Sequence, residues 1–318
     1  MKVRLLLAWA VALLFAPFAS AQIIVSDWGG RLTAYDVAGN SSNVINGMQN
    51  MPNGMAMGPD GLLYVADSGS NTVNRYNPVT GQFVSTAISS AQLGASFVAS
   101  GLTFLPNGDL LVADQAGIFG PALGSGSVYR FNFGSNMLTP LLTGLNQPIG
   151  LLYNNGNLYI SEVSNVDPNQ ARISRYDFVN PPTTFLAHSV SGLNQPTGLV
   201  VGPDGQMYVT DVMGFNVRRV DFTNPTNNSV FASGSGFIAP TGVVFSGGHM
   251  FVSNYGTGAM DGFLSEFNAT TGAFEQIAVS GLVIGSAVVT VPEPASFMLI
   301  GLPAGVFVLR RLRNRRKD

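Results

Sequence analysis

Cysteine is absent from all 318 residues, and lysine is absent from residues 22 to 290. The first absence removes disulfides, thiolate nucleophiles and thiolate metal sites, so the fold must be held by packing alone. Charge is scarce too, at 10% of residues, and histidine occurs only as His188 and His249. Within residues 22 to 290, fifteen acids stand against seven arginines, a net charge of -8. Such a surface repels phosphate backbones, and no nucleic-acid partner is expected.

Glycine is abundant, with 38 residues, and much of it falls in a repeat. The stretch Gly54 to Asn77, GMAMGPDGLLYVADSGSNTVNRYN, reads as three short strands separated by a Pro-Asp-Gly turn and a small polar loop. It returns at Gly101 to Asn132, Gly150 to Asp177, Gly198 to Asp221 and Gly242 to Asn268. One further copy is cut in two. Its second and third strands are Ile23 to Asp27 and Arg31 to Asp36, and its first is Gly285 to Val291.

The leading glycines are 47, 49, 48, 44 and 43 residues apart. That period, built from short strands, predicts an all-β fold: a six-bladed β-propeller over residues 22 to 291, with one four-stranded blade per period. The divided copy predicts a ring closed by pairing of the C-terminal strand with the N-terminal strands, which removes exposed sheet edges. The residues (V/I)-x-Arg-(Tyr/Phe/Val)-(Asn/Asp) after PDG-x-(L/M)-Y-V-x-D resemble the NHL-repeat family of six-bladed propellers. That resemblance implies architecture and leaves activity open, because the fold carries unrelated functions.

The longest apolar stretches lie at the two ends. Residues 1 to 21 carry Lys2 and Arg4, an apolar run from Leu5 to Ala16, Pro17 and the small-residue site Ala19-Ser20-Ala21. This is the pattern of a secretory signal peptide with Gln22 as the mature N-terminus. At the other end Pro292-Glu293-Pro294 precedes a transmembrane segment, Ala295 to Leu309, and a basic tail at 310 to 318. Arginines in that tail favour the cytoplasmic side, which puts the propeller outside. The three parts in order resemble the PEP-CTERM sorting signal. That resemblance implies cleavage near Pro292 to Pro294 by an exosortase-type enzyme, and an association with exopolysaccharide and biofilm. The chain is therefore expected to be exported, anchored in the inner membrane facing the periplasm before processing, and then held at the cell surface or outside.

Two registers of the repeat carry charge. Asp27, Asp67, Asp114, Glu162 and Asp211, with Asn254 in the sixth place, end the second strands, while Arg75, Arg130, Arg175 and Arg219 share one position on the third. As a functional ring the acids would suit calcium or a sugar. As structure, each would accept hydrogen bonds from the backbone of the loop it begins, with help from the arginine. No cofactor is called for, and calcium is the one ion this ring leaves open.

In the gluconolactonase and senescence-marker family, which shares the six-bladed design, a metal is held by Asn, Asp and Glu side chains lining the central channel. The residues preceding the leading glycines here are Asn53, Ser100, Ile149, Thr197, Thr241 and Ile284. Without a carboxylate they make a poor cage for a divalent ion. The turns are also similar to those of streptogramin lyase, whose chemistry depends on channel histidine and acid residues. His188 is expected on an outer strand and His249 at the turn and second strand of its copy, away from the channel.

Binding has better support in loop length. Long loops follow Asp114, Glu162 and Asn254, on the face where innermost strands begin, and offer Phe119, Asn165, Asp167, Asn169, Tyr255 and Asp261 for carbohydrate or peptide contact. The sequence thus points to a non-enzymatic binding or scaffold propeller whose partners are exopolysaccharide or an envelope protein. The alternative is a metal-dependent propeller hydrolase or lyase, lactonase-like, with an atypical site.

Overall fold

The structure is a computed structural model that describes residues 22–36, 40–46, 51–94, 97–117, 123–164, 167–258 and 261–291. Six four-stranded antiparallel sheets are arranged as blades around one axis. The innermost strands are Pro52–Met57, Ala99–Phe104, Pro148–Asn154, Pro196–Val201, Pro240–Ser246 and Gly285–Val291. The last of these pairs with Gln22–Asp27, so one blade draws strands from both ends of the described chain. The signal-peptide and sorting-tail stretches, residues 1–21 and 292–318, lie outside the described residues. Among the described residues no helix is long and apolar enough to cross a membrane.

Each second strand is buried along all or all but the first of its residues, because it has a neighbouring blade on both faces. Leu63–Asp67, Leu110–Asp114 and Met207–Asp211 are examples. This explains their near-continuous apolar character where a half-exposed strand would alternate. Aromatic side chains join blade to blade: Tyr64 meets Phe104 edge to face at 4.9 Å, and Tyr208 meets Phe245 at 4.8 Å. Such contacts contribute about 0.5–1.5 kcal/mol each beyond their buried area.

The leading glycines are required where the inner strands converge on the axis. A Cβ on Gly54 would collide with the Ser100 carbonyl, one on Gly101 with that of Ile149, and one on Gly150 with that of Thr197. The inner strands bulge at this point, so the ladder is interrupted there. Hydroxyls fill the gap and bind adjacent blades. The Gly198 amide donates to Thr210 Oγ1 at 2.7 Å, and that hydroxyl donates to the Thr241 carbonyl at 2.7 Å. Ser161 joins Gly150 to Thr197 in the same way, and Ser253 joins Gly242 to Ser286.

This pattern corrects the register of the divided copy. Gly285 pairs with Asp27 as Pro196 pairs with Asp211, so Ala287 stands where the other blades have their leading glycine. The channel residue of that blade is Ser286, not Ile284. A methyl is tolerated at Ala287, and a search keyed on glycine therefore stops two residues early.

The repeated arginines also differ from expectation. Three of the four, Arg75, Arg130 and Arg219, face the turn aspartates and not the carboxylates that end the second strands. Arg219 Nε donates to Asp204 at 2.5 Å and Arg130 Nε to Asp109 at 2.6 Å, while Arg75 lies 3.9 Å from Asp60. Tyr64 and Tyr208 donate to Asp60 and Asp204 at 2.9 and 3.2 Å. The PDG-x-(L/M)-Y and Arg parts of the repeat are thus one hydrogen-bonded unit. Burial, and then the neighbouring aspartate, pushes both phenols up to about 12.

Candidate functional site

The acids that end the second strands build the rim of the channel without facing into it. Fully buried Asp211 accepts from the Asn194, Gln195 and Gly214 amides at 3.0, 2.8 and 3.1 Å. Asp114 accepts from Val98 and Ala116 at 3.0 and 2.9 Å, and Glu162 from Asn146 at 2.7 Å. Asn254 substitutes in the sixth blade by accepting from Ile238 at 3.0 Å. Each therefore ties the segment leading into its inner strand, and several also tie the loop they begin. Burial pushes the Asp114 carboxyl upward despite its two backbone donors.

The residue after each of these rim groups turns its amide toward the residue just before the inner strand. Trp28 donates to Ile284 at 3.1 Å, Gln115 to Val98 at 3.1 Å, Val212 to Gln195 at 3.0 Å and Tyr255 to Ala239 at 3.0 Å. This places the side chains of Trp28, Gln115 and Tyr255 at the mouth of an axial cavity of about 370 Å³. Gln147 and Gln195 add amides, Met51 and Val212 add apolar walls, and Asn53, Thr197, Thr241 and Ser286 line the channel below. No Asp, Glu, Lys, Arg or His is among the described lining residues.

The lower hydroxyls are already engaged. Thr241 Oγ1 donates to the Ser286 carbonyl at 2.7 Å, Ser100 Oγ to the Pro148 carbonyl at 3.0 Å, and Ser286 Oγ contacts Asn53 Oδ1 at 3.2 Å. Trp28 is different. Its ring meets Tyr255 edge to face at 5.0 Å, and its indole nitrogen is buried with no hydrogen-bond partner among the described residues. A buried, unpaired donor is costly unless something else meets it. Burial also pushes the Tyr255 phenol above the usual tyrosine range.

Of the loop residues singled out from sequence, Tyr255 alone lines the cavity among those described. Asp167 accepts from the Asn169 amide and side chain at 3.0 and 2.9 Å, and this holds its carboxyl low. Asp261 accepts from the Thr257 side chain and from the Gly258 and Thr257 amides, with the same result. Both acids, and Asn169 with them, are committed to ordering their own loops. Phe119 and Asn165 lie outside the described residues. The sequence reading missed Trp28, Gln115, Gln147 and Gln195. The available signal was position, immediately after the rim acid or immediately before the inner strand.

Both histidines lie away from the axis. His188 begins a short helix after an outer strand, its Nδ1 2.5 Å from the Leu193 carbonyl. His249 opens the second strand of its blade.

Six blades around an uncharged axial cavity define a six-bladed β-propeller. The NHL repeat family matches residues 50–76, and the PEP-CTERM protein-sorting motif matches residues 290–316. The chain is thus a six-bladed β-propeller that carries one NHL-repeat match and a C-terminal sorting motif, which implies export and recognition by an exosortase. No curated protein matches the chain. Among solved structures it is similar to a chain of a nidogen/laminin complex, with 15% identity, a TM-score of 0.70 and coverage of 86% of this chain and 98% of that one. It is also similar to a gluconolactonase from Xanthomonas campestris, with 17% identity, a TM-score of 0.59 and coverage of 73% and 78%. At such identities the likeness is one of fold.

Proposed function

We propose that this protein is an exported, non-enzymatic binding module whose axial cavity takes a neutral glycan of the cell surface or matrix. The observation that carries the reading is the cavity mouth. The Trp28 and Tyr255 rings form an apolar wall, with amides around them and no charged group among the described lining residues. A sugar ring offers an apolar face for an aromatic wall and hydroxyls for amide partners. Hydrolase or lactonase chemistry calls for an acid, a base or metal ligands at the axis. The described lining residues supply none.

The path of the chain supports an orientation. The last inner strand starts at the loop face, where Gly285 pairs with Asp27, and ends at the turn face, where Val291 pairs with Gln22. The Pro-Glu-Pro motif at 292 to 294 follows without a linker. While residues 295 to 309 anchor the chain, the Pro-Asp-Gly turns face the membrane and the cavity mouth faces outward. Removal of residues 1 to 21 leaves Gln22 at the start of the first strand. Pairing of that strand with Gly285–Val291 closes the ring, so the sorting tail is attached to the element that completes the fold.

The test is retention of the purified protein on immobilised neutral exopolysaccharide, with an anionic polymer as comparison. Retention on the neutral polymer that falls in Trp28→Ala, measured at a temperature where the variant remains folded, supports the proposal. Equal retention of the two proteins on the neutral polymer contradicts it.

A further inference from the structure

The sixth blade departs from its siblings at one register, on the turn face opposite the cavity mouth. In two other blades the arginine paired across from the buried second-strand tyrosine, Arg75 opposite Tyr64 and Arg219 opposite Tyr208, faces a turn aspartate. In the sixth, Glu266 stands opposite Phe251 where the arginine would be, and the turn has Gly247 in place of the aspartate. His249 occupies the position of Leu62 and Gln206. The cation and its counter-ion have been exchanged for two carboxylates and an imidazole.

These groups converge. His249 Nδ1 lies 3.0 Å from Glu266 Oε1 and 2.6 Å from Glu275 Oε2, and the three ligand atoms fall within 4.8 Å of one another. The outer oxygens are held by neighbours. Gln276 Nε2 and the Tyr35 hydroxyl donate to Glu266 Oε2 at 2.7 and 3.3 Å, and Asn268 Nδ2 donates to Glu275 Oε1 at 3.4 Å. Each carboxylate therefore keeps one oxygen in an outer hydrogen bond and points the other at the imidazole. That is how metal ligands are oriented by the groups around them. The Glu266 side chain is only 8% exposed, and the His249 imidazole is in polar contact with both carboxylates. Two carboxylates sharing one imidazole place negative charge at the buried Glu266, which a divalent cation would neutralise.

We infer that His249, Glu266 and Glu275 form a binding site for a divalent transition metal, with zinc the best match. One imidazole nitrogen and two carboxylate oxygens are a borderline-soft set that suits zinc better than calcium or magnesium, which take oxygen alone. Ligand atoms around tetrahedral zinc are about 3.3 Å apart, so the imidazole-to-carboxylate distances of 3.0 and 2.6 Å need to open by about 0.3 and about 0.7 Å. His249 and Glu275 are 35% and 31% exposed, which leaves an entry path and room for a water in the fourth position.

The experiment uses the full-length chain in detergent, stripped with EDTA and titrated with zinc against a chromophoric chelator. The same titration is made on His249→Gln, Glu275→Gln and His188→Gln. One zinc per chain is expected, with affinity lower by about tenfold or more in the first two variants and unchanged in the third. The metal-free melting temperatures of the variants show whether they remain folded. Calcium or magnesium in large excess should not displace the zinc. Absence of zinc binding, equal binding by His249→Gln and the parent, or displacement by calcium would each overturn the assignment.

Discussion

Trp28 and Tyr255 belong to different blades, lie at opposite ends of the propeller sequence, and meet edge to face at 5.0 Å across the seam between those blades. The same contact forms one wall of the axial cavity. Tyr255→Ala should therefore act on both. Loss of the aromatic pair is expected to cost about 0.5–1.5 kcal/mol beyond the lost buried area. Thermal unfolding and glycan retention should both fall, and a change in neither would separate the pair from seam and site alike.

The seam itself is tested by truncation. A chain ending at Ile284 lacks the partner of Gln22–Asp27 and the residues Val288 and Val291 that pack into the cores of the flanking blades. At about 2–4 °C per kcal/mol for a chain of this size, a loss of several kcal/mol lowers the melting temperature by about 10 °C or more. An unchanged melting temperature would contradict closure through this strand.

The rim carboxylates make a sharper comparison. Asp211→Ala strands three buried amide donors, those of Asn194, Gln195 and Gly214, at an expected cost of about 3 kcal/mol or more. Asp211→Asn keeps an acceptor in place, as Asn254 does in the sixth blade, and should cost less than half as much. Chemical denaturation of the two variants checks the order. The reverse order would show that charge, and not hydrogen-bond acceptance, is what the rim requires.

Much of this architecture is legible in sequence because each blade repeats the same packing problem. The apolar second strands, the turn aspartates and the leading glycines recur for reasons of burial, hydrogen bonding and close approach at the axis. The register of the last inner strand is less legible, since Ala287 replaces the glycine that marks it elsewhere. The cavity was hardest to read. Long loops drew attention to Asp167 and Asp261, whose carboxylates are occupied by their own loops. Trp28 follows its rim acid directly, in a short turn, and that position is the one local sign that it faces the axis. Its role depends on contact with Tyr255, which only the closed arrangement of blades brings near.

Acid should weaken the turn units in a definite direction. Burial works to raise the Asp109 carboxyl, but hydrogen bonds from Arg130, Asn107 and Asn132 outweigh it and hold the group below its usual range. A depressed carboxylate stabilises the fold above its unfolded value, near pH 4, and that contribution is lost as pH falls through the folded value. Asp109→Asn is thus expected to lower stability by about 1–2 kcal/mol at neutral pH, with the moderate figure reflecting the partial exposure of Arg130. The gap between variant and parent should narrow below about pH 4. A gap that stays constant down to strong acid would count against the ion pair as its source.

The most direct test of the binding proposal uses the tryptophans themselves. Of the two in the chain, Trp9 lies in the signal-peptide stretch, so in protein beginning at Gln22 the intrinsic tryptophan emission comes from Trp28 alone. Titration with neutral oligosaccharides of the exopolysaccharide should shift and saturate that emission, and Tyr255→Ala should weaken the response. Emission that stays constant while the protein is retained on the polymer would place binding away from the axial cavity and contradict the proposal.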